Sequence, residues 1–254
     1  MEQNKELILA QLVGLSRSIG EPAKDLVILG DGNTSAYINE ESFYVKASGS
    51  MLEGIGPEGF TEVRFQPVLD ILKRDTISDT ELKAEFANAR VDAAAKHPSI
   101  ETVFHAIALT HCGAKFVAHT HPISINSIMC SVDARKALSG HMFSESALYL
   151  GPEPVIIDYA DPGLPIARAL ISQIEKYQQK WGQQPRVFYL LNHGMVALGQ
   201  SAKEAENITA MAVKSARILL GTYHMGGPRF ISEEDVRRIV TRPDEEFRRK
   251  LANK

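Results

Sequence analysis

Cysteine is almost absent from this chain: Cys112 and Cys130 are the only two among 254 residues, and they form no Cys-x-x-Cys pair. That excludes a disulfide framework and a cysteine zinc site, and leaves two buried thiols as the expectation. Long hydrophobic runs are missing as well. No stretch approaches the roughly 20 apolar residues needed to span a bilayer. Met1 to Glu6 carries no basic segment leading into an apolar core, so the chain reads as soluble and cytoplasmic. An excess of one charge is also lacking. With 28 Lys and Arg against 31 Asp and Glu the net charge is −3. Such a balance gives no general attraction to nucleic acid or to anionic membranes and turns attention to small-molecule partners. A Gly-x-Gly-x-x-Gly fingerprint does not occur, so no dinucleotide-binding half is expected.

What is present suffices for a substantial core. Hydrophobic residues make up 44% of the chain, and nothing forces a split, so one domain over residues 1–254 is expected. Apolar spacings of three and four from Lys5 to Ile19 predict an amphipathic helix that Gly20 and Pro22 end. A hairpin follows, with strands near Ala36 to Ile38 and Phe43 to Lys46. Next come a strand over Phe60 to Phe65, a short helix from Pro67 to Lys73, and a longer one from Asp79 to Ala95 with Ser78 or Asp79 as its cap. Further helices are predicted from Ser99 through about His111, from Pro122 to Cys130 and from Ala134 to Leu138. An exposed helix is expected from Ile166 to Lys180, and a long one from Ser201 to about Leu220 with Ala205, Ile208, Ala212, Ala216 and Leu219 as its packing side. The tail is helical in pattern from Ser232 and is expected against a neighbouring subunit. Strands and helices interleave without regular βαβ spacing, which predicts an α/β three-layer domain with a mixed, largely antiparallel central sheet.

The chemistry-bearing stretch is Phe116-Val117-Ala118-His119-Thr120-His121-Pro122, an apolar run ending in two histidines and stopped by proline. On a strand, alternate side chains share a face, so His119 and His121 point the same way. Neutral imidazole is a good ligand for Zn²⁺ and similar cations, and a catalytic site normally takes three protein ligands. Alone, His-x-His fits two half-buried histidines equally well. The best third ligand is His193, where the apolar run from Val187 ends in Asn192-His193-Gly194 before a second apolar run. Gly194 is expected to let the backbone turn directly after it.

Two loops near the amino end carry short polar residues: Gly30-Asp31-Gly32-Asn33-Thr34-Ser35 and Ser48-Gly49-Ser50. Such turns expose backbone N–H groups and hydroxyls that hold a phosphate, although ordinary turn chemistry accounts for them as well.

Taken together, His119-Thr120-His121, Asn192-His193-Gly194, Pro98-Ser99-Ile100-Glu101, Gly32-Asn33-Thr34-Ser35 and Ser48-Gly49 resemble the class II aldolase/adducin family in order and spacing, from about Leu7 to Leu220. The family includes the fuculose-phosphate and rhamnulose-phosphate aldolases and ribulose-phosphate 4-epimerase. A weaker likeness is to the aldolase portion of rhamnulose-phosphate aldolase fusions that carry a dehydrogenase domain. The resemblance implies His119, His121 and His193 as ligands of Zn²⁺ or of Mn²⁺, Co²⁺ or Fe²⁺, and Glu101 as the acid/base, with a pKa held up by partial burial. It implies Asn33, Ser48, Gly49, Ser99 and Ser35 as contacts to a substrate phosphate, and a fourfold homotetramer with active sites between subunits. The activity implied is cleavage of a ketose 1-phosphate into a triose phosphate and an aldehyde through a metal-stabilised enediolate. Epimerisation, dehydration and decarboxylation belong to the same chemistry, and an adducin-like interaction module is the rival from another class. Two departures stand out. Ile100 replaces a second family serine, and Gly140-His141-Met142-Phe143 falls where the family's aldolases place a tyrosine. His105, one helical turn from Glu101, is read as a residue behind the site.

Overall fold

The structure, a computed structural model, describes residues 2–244 together with 247 and 251. Seven strands form one sheet: β1 (Asn33–Tyr37), β2 (Ser42–Lys46), β3 (Phe60–Arg64), β4 (Phe116–Thr120), β5 (Val155–Ile157), β6 (Val187–Leu190) and β7 (Gly194–Gly199). Their order is β3-β2-β1-β4-β7-β6-β5. Every neighbouring pair is antiparallel except β5 with β6, so the mixed, largely antiparallel sheet expected from the sequence is present.

Alternation along each strand feeds two cores. On β4, Val117 packs on one face of the sheet while Phe116 and Ala118 pack on the other. The first face is covered by α2 (Phe65–Asp70), α3 (Asp79–Ala89), α4 (Thr102–His111) and α8 (Leu164–Trp181). The second is covered by α1 (Glu2–Ile19), α5 (Ile123–Met129), α6 (Ala134–Leu138) and α9 (Ala202–Tyr223). Ala205, Ile208, Ala212, Ala216 and Leu219 of α9 are all buried, and the three alanines among them let the helix lie close to β7. Among the described residues, no helix is long and apolar enough to cross a membrane.

Several expected boundaries move for identifiable reasons. α3 has the capping box that Ser78 and Glu81 predict, but it ends at Ala89 rather than Ala95. There the chain leaves the helix to extend the sheet edge: Arg90 bridges Val63, and Val91 N–H donates to Glu62 at 3.0 Å. α4 begins at Thr102, not Ser99, because Pro98 bridges Ala47 and Ser99 N–H is committed to the Lys46 carbonyl at 3.0 Å. α8 is not an exposed helix; it buries Leu164, Ile166, Ala167, Leu170, Ile174 and Tyr177. The tail helix, α10 (Glu233–Thr241), capped by Ser232, lies on α7 (Ser144–Leu150) of its own chain, with Val236 buried and the Arg237 guanidinium 4.1 Å from the Trp181 ring. Cys112 is buried as expected, but Cys130 is exposed because it falls just past the end of α5.

Candidate metal centre

His119 lies in β4 and His121 directly after it, on the face that carries Val117. β4 is flanked by β1 and β7 in the middle of the sheet, and His193 arrives from the turn between β6 and β7. One ring nitrogen from each of the three histidines lies within 4.8 Å of the others, and His119 Nε2 and His121 Nε2 are 2.9 Å apart.

The rings of His119 and His121 are held from behind, and the backbone of His193 is pinned. His119 Nδ1–H donates to the Met195 carbonyl at 2.9 Å, which fixes the tautomer and leaves Nε2 with a free lone pair, the arrangement a metal ligand needs. Asp31 Oδ2 lies 3.4 Å from His121 Nδ1, and Asp31 is itself tied by the Ile28 N–H at 2.7 Å. Asn126 on α5 donates to the His193 carbonyl at 3.0 Å. Burial lowers the pKa of His119 and brings His121 down to about 4, so both rings are neutral and ready to bind a cation near pH 7. Three imidazole nitrogen donors converging on one point fit a divalent ion of the zinc type.

Gly194 is needed here for a reason the sequence did not reveal. The left-handed residue of the turn is Asn192, at φ 59°, while Gly194 is absent from the positive-φ positions. A Cβ on Gly194 would lie 2.5 Å from His121 Cδ2, 2.7 Å from the Thr120 carbonyl oxygen and 2.9 Å from His119 Cε1. The glycine lets β7 pass against the rings of His119 and His121. Among the described residues, the non-glycine positions with positive φ are Asp25, Leu29 and Asn192. Asn192 directly precedes His193, the Asp25 carbonyl accepts from Ile123 N–H just past His121, and Leu29 lies in the turn that Ile28 and Asp31 close. Unfavourable backbone conformations of this kind persist where surrounding structure enforces them.

Glu101 occupies the position just before α4, so its carboxylate is not engaged in capping and reaches the histidines. Oε1 is 3.0 Å from His193 Nε2, and Oε2 is 3.5 Å from His119 Nε2. Asn33 Nδ2 donates to Oε2 at 2.6 Å. Burial alone would raise this carboxyl's pKa, but the neighbouring His119 and His193 and the Asn33 amide outweigh it and hold the group below the usual carboxylate range. The expected elevation of the Glu101 pKa is therefore reversed.

The other expected site residues divide into two layers. Asn33 and Ser99 are buried beside Glu101, with Asn33 Nδ2 3.3 Å from Ser99 Oγ. Ser48 and Gly49 are exposed on the loop after β2, drawn alongside by the Ser48 N–H bond to the His97 carbonyl at 2.8 Å. Ser35 is fully buried, and its hydroxyl is 2.7 Å from His105 Nδ1, so it faces His105 rather than the open side. Lys46, buried under the same loops, donates to the Ser50 carbonyl at 2.5 Å and the Gly30 carbonyl at 3.2 Å. His141 is also buried, with its ring nitrogens 3.0 Å from Ser146 Oγ and 3.1 Å from the Pro152 carbonyl. Sequence reasoning missed Asp31, Asn126 and the Met195 carbonyl. Only the closeness of Asp31 and Asn126 to motifs on either side of the histidines hinted at them.

Comparison with known proteins agrees with this geometry. A Bacillus subtilis (strain 168) protein named uncharacterized oxidoreductase YuxG is 26% identical over 195 residues, which is 74% of this chain but 26% of that protein. The chain thus spans about a quarter of the length of the curated relative it matches. The N-terminal class II aldolase domain of a conserved protein from Thermoplasma acidophilum superposes with a TM-score of 0.65 at 27% identity, covering 83% of this chain and 92% of that one. An L-fuculose 1-phosphate aldolase shares the fold, with a TM-score of 0.68 at 19% identity, covering 95% and 96%. Residues 10–220 match the family described as the Class II Aldolase and Adducin N-terminal domain, and with the histidine centre in place the chain belongs to that family.

Proposed function

We propose that this chain is a divalent-metal-dependent lyase that cleaves a ketose 1-phosphate, by a retro-aldol step, into a triose phosphate and an aldehyde. The observation that carries this reading is the convergence of His119, His121 and His193 with the Glu101 carboxylate 3.0 Å from one of them. The three histidines would hold Zn²⁺, or Mn²⁺, Co²⁺ or Fe²⁺, and such an ion supplies Lewis-acid polarisation of carbonyl and hydroxyl oxygens. Glu101 then moves the proton. Oε2 is held by Asn33, so Oε1 takes a proton from the substrate carbon in the condensation direction and returns it to that carbon on cleavage. The transfer is worth about 10²- to 10⁴-fold in rate.

Ser48, Gly49 and Ser99, with Asn33 at the base, bind the phosphate through hydroxyl, backbone and amide hydrogens. Lys46 supplies positive potential from beneath the loop while its Nζ stays on the carbonyls of Gly30 and Ser50. Ser35 plays no part in that pocket on this reading. The active assembly is a homotetramer with sites between subunits.

A second reading is favoured by one observation. The place of the family tyrosine holds His141, whose ring is enclosed and engaged by Ser146 and Pro152, so it offers no proton to a leaving aldehyde. Epimerisation, dehydration or decarboxylation would use Glu101 and the same three histidines without that donor. An interaction module would need none of them.

The test is Glu101→Gln. Exchange of solvent deuterium into dihydroxyacetone phosphate, followed by NMR, should slow by about 10²-fold or more with metal content unchanged. Wild-type exchange by this variant would remove Glu101 as the base. No exchange by the wild-type protein, with exchange or turnover of an oxo-acid phosphate, would favour the second reading.

A further inference from the structure

His105 lies one helical turn after Glu101 on α4 and is fully buried. Its ring sits between two side chains of β1 that share a face: Ser35 Oγ is 2.7 Å from Nδ1, and Asn33 Oδ1 contacts Nε2. Asn33 in turn reaches Glu101 Oε2 through Nδ2 at 2.6 Å. A continuous chain of hydrogen bonds therefore runs from Ser35 through His105 and Asn33 to Glu101.

Donor and acceptor roles along this chain are forced from one end. An ionised carboxylate only accepts, so the amide atom facing Glu101 must be the NH₂ group. The Asn33 carbonyl oxygen then faces His105 and also only accepts, so Nε2 must carry the ring proton. Burial brings His105 down to about 3, so near neutrality the ring has a single proton. With that proton on Nε2, Nδ1 accepts from the Ser35 hydroxyl. The opposite tautomer would turn the Asn33 amide over and place its carbonyl oxygen against the carboxylate, two acceptors face to face at hydrogen-bond distance.

We propose that His105 is a positioning residue for Glu101, acting through Asn33: its Nε2–H holds the Asn33 amide in the one orientation that gives an N–H to Oε2 and leaves Oε1 turned toward His193. The kinetic consequence rests on the reading of Glu101 as the group that moves the substrate proton, whereas the order of hydrogen bonds does not.

Two measurements on the full chain test it. Nitrogen-15 NMR of the metal-free protein should find His105 as the Nε2-protonated tautomer, with the Asn33 NH₂ protons protected from solvent exchange. That protection should persist in His105→Gln, whose amide N–H replaces Nε2–H, and vanish in His105→Leu. An Nδ1-protonated His105 in the wild-type protein would overturn the proposal without any variant. For the kinetic arm, deuterium exchange into dihydroxyacetone phosphate should slow about tenfold or more in His105→Leu and stay within about threefold in His105→Gln. In an Asn33→Leu background the His105→Leu change should add less than about twofold, since its effect passes through Asn33. An equal penalty in both backgrounds would show that His105 acts by another route. If the wild-type protein exchanges no deuterium into this probe, the aldolase reading fails, and the NMR result alone decides for or against the positioning role.

Discussion

Replacing Gly194 by alanine tests whether β7 must pass directly against the ligand rings. The backbone there is not left-handed, so alanine meets no conformational penalty and the substitution isolates the close approach. The added Cβ would sit 2.7 Å from the Thr120 carbonyl oxygen and 2.5 Å from His121 Cδ2. Thr120 is paired with Met195 across β4 and β7, so the carbonyl cannot retreat without disturbing the central ladder. The imidazole of His121 can swing, but doing so shifts its Nε2 from its place 2.9 Å from His119 Nε2. Overpacking of this kind costs about 1–3 kcal/mol. For a chain of this length each kcal/mol lowers Tm by about 2–4 °C, so a fall of about 2–12 °C is expected. Displaced ligand rings should weaken zinc binding by about 10- to 100-fold, the usual effect of disturbing the groups that orient a metal ligand. Calorimetry of the metal-free protein and a competition titration with a zinc chelator measure the two separately. A Gly194→Ala protein with wild-type Tm and wild-type zinc affinity would refute the reasoning.

His119→Ala, His121→Ala and His193→Ala should each abolish tight zinc binding by elemental analysis, since two imidazoles make an inadequate site; full occupancy in any one removes that residue from the ligand set. Acid should destabilise the metal-free protein. The folded pKa of His105 is lowered to about 3 from 6.5, so its contribution is fully present above about pH 6.5 and is lost as pH falls below that value. Urea unfolding at pH 7 and pH 5 should differ by about 2 kcal/mol more in the wild type than in His105→Gln, and an equal pH dependence in the two would contradict this. Burial pushes the Cys112 thiol up to about 12, while Cys130 is exposed. Iodoacetamide at pH 8 should therefore label Cys130 alone by mass spectrometry, and rapid labelling of Cys112 in the folded protein would count against its enclosure.

Strand alternation was enough to aim His119 and His121 at one point, because a two-residue period is a local property that a short apolar run reveals. His193 was readable because Asn-His-Gly stands between two strand-like runs. The placement of Glu101 depended on a contact far away in sequence: the commitment of Ser99 N–H to Lys46 delays the helix start, and no helix-capping rule contains that information. The reason for Gly194 is hidden from the sequence in the same way. A glycine after a turn suggests a reversal, while the rings it accommodates come from a strand more than 70 residues earlier. Ser35 looked like a loop hydroxyl until β1 placed it in the interior, opposite His105.

The three adjacent strands β1, β4 and β7 contribute Asn33, His119 and Gly194, and all of these lie in the most enclosed part of the sheet. Of the residues expected to meet a substrate, Ser48 and Gly49 lie instead on an exposed loop at the margin, after β2. Motion and sequence change concentrate in such loops, whereas central strands open only with the whole domain. A chain built this way separates an unyielding centre from an exchangeable rim. On the proposed function, the centre would fix what happens to a bound carbonyl compound and the rim would select which compound arrives. Substitutions at Ser48, which touches none of the three histidines, should redirect substrate choice while zinc affinity and global stability hold steady, whereas changes at Asp31, beside His121, should disturb both.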